Sequence, residues 1–392
     1  MDILKHELYK IYFRKSLYLA ALFFLLIYGL YAYGLSGDPA INRQLAIYLG
    51  AAQGPVTAQK VNIAEQGQKE LENHPENYAT DVKVVPGEGT SMKMTPEGMA
   101  KLQFYSAILS MSAQIRDRSA ALAELSNEID SLTKANSANT FGYRTKALEY
   151  QMLQNTSNPV VGYSGGWAQV IDFIPTFGLV FTGALILLGL SPVFSEEYST
   201  GMASIILSSK HGKGKVITAK ILAACIYIAG LVLFFALLNT ATCFLLLGTN
   251  GGGYPLQNIY LYHASPYALT LARYFIYEIL VFLAGSLAFG LLILFLSSLS
   301  RSALIPLFAG GLVFATPLAL LKLGINIAWL NRLCELSYSE VMRVKNLFIS
   351  FKVYDFFGRP VLYLDVVLLA VVVYSMVSVG LTYYTFKRHQ VS

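Results

Sequence analysis

The sequence predicts an all-α polytopic membrane protein with six transmembrane helices and a large, mostly helical extracellular domain between the first and second spans. Composition points there first. Of 392 residues, 55% are hydrophobic and only 13% are charged, too few charges to cover a soluble chain of this length. The apolar residues also gather in runs long enough to cross a hydrocarbon core, which takes about 18 or more. Finally, a polar stretch of domain length separates the first of these runs from the other five.

Residues 1–15 read as a basic amphipathic helix in the inner interface. Leu4, Leu8, Ile11 and Lys15 share one face, while Lys5, Lys10 and Arg14 lie elsewhere. The aliphatic stem of Lys15 can follow the apolar face while its ammonium reaches water. A plain positively charged flank fits the same residues. The first span, 16–36, contains no charged residue, and no small-x-small cleavage site follows it, so it reads as an uncleaved anchor.

Residues 37–169 form the expected extracellular domain. Ile41–Ala52 is a short helix broken by Gly54-Pro55, and Thr57–Asn73 is a polar helix. Val82, Val84 and Val85 beside Pro86-Gly87 point to extended or hairpin structure over 81–96. From Pro96 to about Asn136, apolar residues recur mostly at three- and four-residue steps, a long helix, and Thr140–Gln154 is another.

Residues 170–392 hold five further spans. Asp172 opens the second on the outside, and Pro192 is expected to end it. The central loop, 195–216, carries a complete set of helix signals. Ser195 is the expected N-cap, Glu196 and Glu197 sit in the first turn, Lys210 and His211 in the last, and Gly212 supplies the stop. The same signals describe a capped turn that merely reverses the chain. The third span carries Asn239, and the fourth carries Glu278. An ionisable group at that depth reads either as a polar point in a translocation path or as half of a buried pair. The loop 322–363 is too polar to span and too rich in Trp329, Phe348, Phe351, Phe356 and Phe357 for plain solvent loop. It reads as short helices at the outer interface, with re-entry left open.

Lysine and arginine set the expected orientation. With the N-terminus inside, the inner segments hold Lys5, Lys10, Arg14, Lys15, Lys210, Lys213, Lys215, Lys220, Arg301, Lys387 and Arg388. Only Asp2, Glu7, Glu196 and Glu197 oppose them. Both termini then lie in the cytoplasm of a multi-pass protein of the cell membrane. The net charge of +6 is a topology signal and excludes no more than a nucleic-acid partner. One exception stands out: Lys322, Arg332, Arg343, Lys345, Lys352 and Arg359 would all be external.

No catalytic or metal constellation emerges. The three cysteines form no framework. A P-loop needs G-x-x-x-x-G-K-[ST], and the nearest match, at Gly214-Lys215, has Ser209 in place of the first glycine and Val216 in place of Ser/Thr.

An interfacial helix, a first span, a large outside domain and five more spans together resemble the membrane subunit of bacterial type-2 ABC exporters. The one motif-like stretch is VFSEEYSTGMASIILSSKHGKGKVITAK, where Glu197, Tyr198 and Gly201 carry the likeness. The resemblance implies a permease without bound cofactor, moving a substrate with energy from a separate cytosolic ABC ATPase that holds the ATP and Mg²⁺. Glu196, Glu197, Tyr198, Thr200 and Gly201 would be the coupling site and Asn239 and Glu278 points in the path. A second permease copy or relative would complete the dimer among membrane lipids. Two other readings remain: a non-transporting sensor with an extracellular ligand-binding domain, and a secondary transporter, which the lack of evident inverted repeats disfavours.

Overall fold

The computed structural model describes residues 2–35, 37–73, 94–135, 137, 140–202, 214–324 and 327–388. The expected hairpin at 81–96, save its last residues, and the helix-stop signals Lys210, His211 and Gly212 lie outside the described residues. Among the described residues, six helical elements are long and apolar enough to cross a membrane.

Helix α1 (Asp2–Tyr12) precedes the first span, α2 (Lys15–Leu35). The inserted domain is built from α3 (Pro39–Ala51), α4 (Ala58–Asn73), α5 (Pro96–Lys134) and α6 (Phe141–Gln154). Their starts follow local chemistry. Asp38, Thr95 and Thr140 each accept a backbone N–H of the first turn, and Pro39 and Pro96 stand where the helix needs no donor. The long α5 is the axis against which α3, α4 and α6 pack. A small core of Leu49, Ala64, Ile108, Met111 and Val161 holds the domain. Strands β1 (Gly54–Pro55) and β2 (Val160–Val161) pair antiparallel where the chain leaves for the membrane.

The second span is one helical element from Gly165 to Ser199. It comprises α7 (Gly165–Phe173), a π-helical turn at Ile174–Gly178, α8 (Leu179–Leu190) and α9 (Pro192–Ser199). Pro175 has no N–H, and the ladder widens there so that Leu179 N–H reaches Ile174 O. Two sequence expectations fail at its C-terminal end. Pro192 starts α9 without ending the span, and Ser195 is not an N-cap. Ser195 sits inside the helix and donates to Ser191 O at 2.9 Å. The N–H groups of Phe194 and Ser195 donate to Ser297 Oγ of the fourth span at 3.0 and 3.2 Å, so a neighbouring hydroxyl serves the backbone beside Pro192.

The remaining spans are α10 (Lys215–Leu247), α11 (Leu271–Leu299), α12 (Leu304–Lys322) and α15 (Tyr363–Arg388). The second and fourth spans are the most buried, and the first, fifth and sixth lie at the rim. The rim spans expose Leu19, Leu30, Phe308, Leu312 and Met376, a surface that suits acyl chains or another apolar face.

Between the fifth and sixth spans lie α13 (Ala328–Glu335), α14 (Tyr338–Arg343) and a hairpin of β3 (Val353–Phe356) and β4 (Arg359–Leu362). Helix α14 enters the bundle. A Cβ on Gly285 would stand 3.0 Å from Val341, and the ring of Tyr338 lies 6.0 Å from that of Phe289. Gly285 is fourteen residues from the start of α11, about 21 Å along it at 1.5 Å per residue. The loop therefore packs beside the middle of the fourth-span helix. Its basic residues are partly matched within it: Arg343 meets Glu340 and Lys352 meets Glu335.

The connections sort to two ends. Arg144 of α6 donates to Gly358 O of the hairpin at 3.0 Å, and Asn258, between the third and fourth spans, exchanges hydrogen bonds with Val160. At the other end, Thr218 of α10 meets Tyr383 of α15 at 2.7 Å, and α1 packs along α10. Six crossings require this arrangement.

Candidate functional site

At the end of the bundle that holds α1, six charged side chains meet. They come from three places far apart in sequence: Glu7, Lys10 and Arg14 in and just after α1, Glu196 and Glu197 on the last turns of α9, and Lys220 in the second turn of α10. Ile11 is buried on the apolar face of α1, with Leu4 and Leu8 against the same core, and this seats the helix. The seating turns Glu7 inward as well.

Lys220 is the centre. Its side chain is 0% exposed, and its ammonium donates to Glu7 Oε2 at 2.8 Å, Glu197 Oε1 at 2.7 Å and Val193 O at 3.1 Å. The ring of Phe194 faces it 5.3 Å away. Lys10 reaches the same Glu197 oxygen at 2.9 Å and Glu7 at 3.4 Å. Arg14 meets Glu196 at 2.6 Å. Three carboxylates thus face three cations, and charge balance makes the burial tolerable. Partial burial alone would lower the pKa of Lys10; its bonds to Glu197 and Glu7 outweigh that and hold it above the ordinary lysine value. A cleft of about 260 Å³ opens beside the cluster, between α1 and α9.

The coupling residues expected from sequence separate into two groups. Glu196 meets Arg14 and Glu197 meets Lys220, and the expectation that the two sit in the first turn of a helix is corrected. They sit on the C-terminal turns of a helix and are engaged within the chain, although Glu196 remains 58% exposed. Tyr198 is half-buried, its ring 6.2 Å from Phe386 of the last span. Thr200 Oγ1 donates to Glu196 O at 2.8 Å and closes the helix. Gly201 follows with φ +73°, the left-handed residue of a helix stop. Thr200 and Gly201 are exposed, as is Met202 beside them.

Asn239 and Glu278 lie elsewhere. Each is about 10–12 Å from the end of its span that adjoins the inserted domain, at 1.5 Å per residue. Asn239 is buried; its amide donates to Val170 O at 3.2 Å, and its oxygen accepts from Cys243 Sγ at 3.4 Å. Glu278 is 0% exposed, and neither carboxyl oxygen has a hydrogen-bond partner among the described residues. One turn away, Tyr274 is paired with Tyr262 at 2.7 Å.

Comparison with known proteins now has a geometry to explain. The model of a family described as ABC-2 family transporter protein matches residues 1–391. The chain belongs to the ABC-2 transporter family. It is thus a permease component of an ABC transporter, and the six spans make it a multi-pass membrane protein. No curated protein and no solved structure is significantly similar to it.

For an ABC-2 permease, the parts missed in the sequence are Glu7, Lys220 and Ser297. Glu7 and Lys220 were weighed only as topology charges. The signal was present: the inner segments held few acids, and one lysine stood directly at the start of a long apolar run. Ser297 carried no signal, because its role depends on a proline more than a hundred residues away.

Proposed function

We propose that this ABC-2 permease is the membrane subunit of an exporter in the cytoplasmic membrane, with both termini cytoplasmic. A separate ABC ATPase would hydrolyse ATP with Mg²⁺, and two permease chains would form the working unit. The excess of lysine and arginine at the α1 end supports the orientation.

The observation that carries the reading is the Glu7–Lys220–Glu197 bridge. The chain leaves the ion cluster at Met202 and rejoins the third span at Gly214, so both ends of the central loop are bolted to one block with α1. A push on that loop reaches the second and third spans and the interfacial helix together. Thr200, Gly201 and Met202 supply the surface for the ATPase, and Glu196 and Glu197 hold the block. Within the spans, Glu278 is the polar point assigned to the substrate path, and Asn239 fixes the second span beside its π-helical turn.

The test is co-purification of the permease with its ATPase, followed by ATP hydrolysis in proteoliposomes. The parental chain is expected to retain the ATPase and change its hydrolysis rate. A chain with Glu197→Gln should keep the ATPase bound yet lose most of that change. Failure of the parental chain to retain any ABC ATPase would overturn the reading.

A further inference from the structure

Between the fifth and sixth spans, from Lys322 to Tyr363, six basic residues stand against three acidic ones. The acids are taken up within the loop. Glu335 is held by Lys352 and the Tyr354 hydroxyl, Glu340 by Arg343 and Asn346, and Asp355 accepts the N–H of Gly358. Lys345 lies within electrostatic reach of Asp172. Lys322, Arg332 and Arg359 are exposed and form no ion pair among the described residues. The surplus leaves this end of the bundle positive.

Helix α13 gives that charge a setting. Cys334 is buried on one side of it. Ala328, Asn331 and Glu335, at helical spacing, line a cavity of about 510 Å³ shared with the β3–β4 hairpin. The remaining face is apolar and open: Trp329 is 65% exposed, and Leu333, one turn on, is 61% exposed. Arg332 stands at the boundary between that face and the cavity. The apolar face continues the rim of the bundle. Helix α13 packs against the fifth span and begins six residues after Lys322 ends it, with Leu323 and Ile327 exposed between them. A tryptophan beside an arginine, on an amphipathic helix at the end of a span, fits the headgroup boundary of a bilayer. There the arginine stem can follow acyl chains while its guanidinium reaches the phosphates.

We propose that α13 lies in the leaflet at the inserted-domain end and selects an anionic phospholipid, of the phosphatidylglycerol class. Arg332, with Lys322 at the end of the fifth span, holds the headgroup phosphate, and Trp329 and Leu333 meet the acyl chains. A second copy packed on this face by two-fold symmetry would set the same cations against one another. A phospholipid supplies both the apolar area and the negative charge. The site stands apart from the coupling block, and its test uses neither nucleotide nor ATPase.

The chain carries its own reporter, because Trp329 and Trp167 are its two tryptophans. The experiment is fluorescence quenching of the full-length Trp167→Phe chain in nanodiscs of phosphatidylcholine. Brominated phosphatidylglycerol or brominated phosphatidylcholine is added at equal mole fraction. Both lipids should quench Trp329, and the anionic one should show a relative binding constant higher by about fivefold or more, as basic groups at a charged headgroup give. Lys322→Gln with Arg332→Gln should bring the two lipids to near equality while quenching by brominated phosphatidylcholine persists. Raising the ionic strength to about 0.5 M should also shrink the preference, and it decides the role of charge if the double variant does not fold. If Trp167→Phe does not fold, the difference between the parental chain and Trp329→Phe isolates the same signal. No quenching by either lipid would mean that water or a second copy covers the face. That result, equal quenching of the parental chain by both lipids, or a preference untouched by the charge-removing variants and by salt, would each overturn the proposal.

Discussion

The ammonium of Lys220 lies 2.7 Å from Glu197 Oε1, completely buried, and joins the end of the second span to the start of the third. The same ammonium holds Glu7, so its removal would leave two carboxylates facing each other with only Lys10 between them. Breaking a buried pair from one side costs about 3–5 kcal/mol. Lys220→Met should therefore lower the melting temperature in detergent and the yield of folded protein. Adding Glu7→Gln and Glu197→Gln removes the stranded charges and should recover much of the loss. A Lys220→Met chain that melts like the parent would show that the contact carries no stability.

Gly201 separates two roles for one glycine. Among the described residues, a Cβ there would meet nothing within 4 Å. Its φ of +73° is the constraint, because the residue lies past the helix end. Asn tolerates the left-handed region better than Ala does. If the turn alone matters, Gly201→Asn should retain more ATPase coupling than Gly201→Ala. If a partner backbone approaches there, the smaller Ala should do better. Pull-down and ATP hydrolysis for the two variants decide between them.

The spans were legible because apolar runs of membrane length are written in composition, and the helices of the inserted domain because their caps are local. Thr95 and Thr140 could be read beside the helices they start. The C-terminal end of the second span was misread for the same reason. Ser195 followed by Glu196 and Glu197 has the local form of an N-terminus, but Ser297 and Lys220, on other spans, hold this stretch as a C-terminus. The excess of basic residues after the fifth span was an anomaly in a charge count. In the fold, Glu335 and Glu340 answer two of them.

Orientation is open to direct labelling. Ser119 on α5 and Ser199 on α9 are both exposed and lie at opposite ends of the bundle. In a background with Cys225, Cys243 and Cys334 replaced by Ala, Ser119→Cys should react with an impermeant maleimide in intact cells. Ser199→Cys should react only after permeabilisation. The reverse pattern would place both termini outside and remove the basis for a cytosolic ATPase partner.

Glu278 gives the sharpest separation of stability from function. A carboxylate that is half of a buried pair loses stability when neutralised, because its partner is stranded. No such partner stands by Glu278: both oxygens lack hydrogen bonds among the described residues, and the nearby Tyr262 and Tyr274 hydroxyls are paired with each other. Burying a polar group without compensation is itself costly. Glu278→Gln keeps the size and shape, so it should leave the melting temperature unchanged or raise it. Glu278→Leu should raise it further, since an apolar group of similar length leaves nothing unsatisfied. If the carboxyl serves the substrate path, both variants should still assemble with the ATPase while ATP-driven transport falls about tenfold or more. A clear drop in melting temperature for Glu278→Gln would instead show that the group has a partner in the folded protein. Full transport by both variants would take Glu278 out of the path.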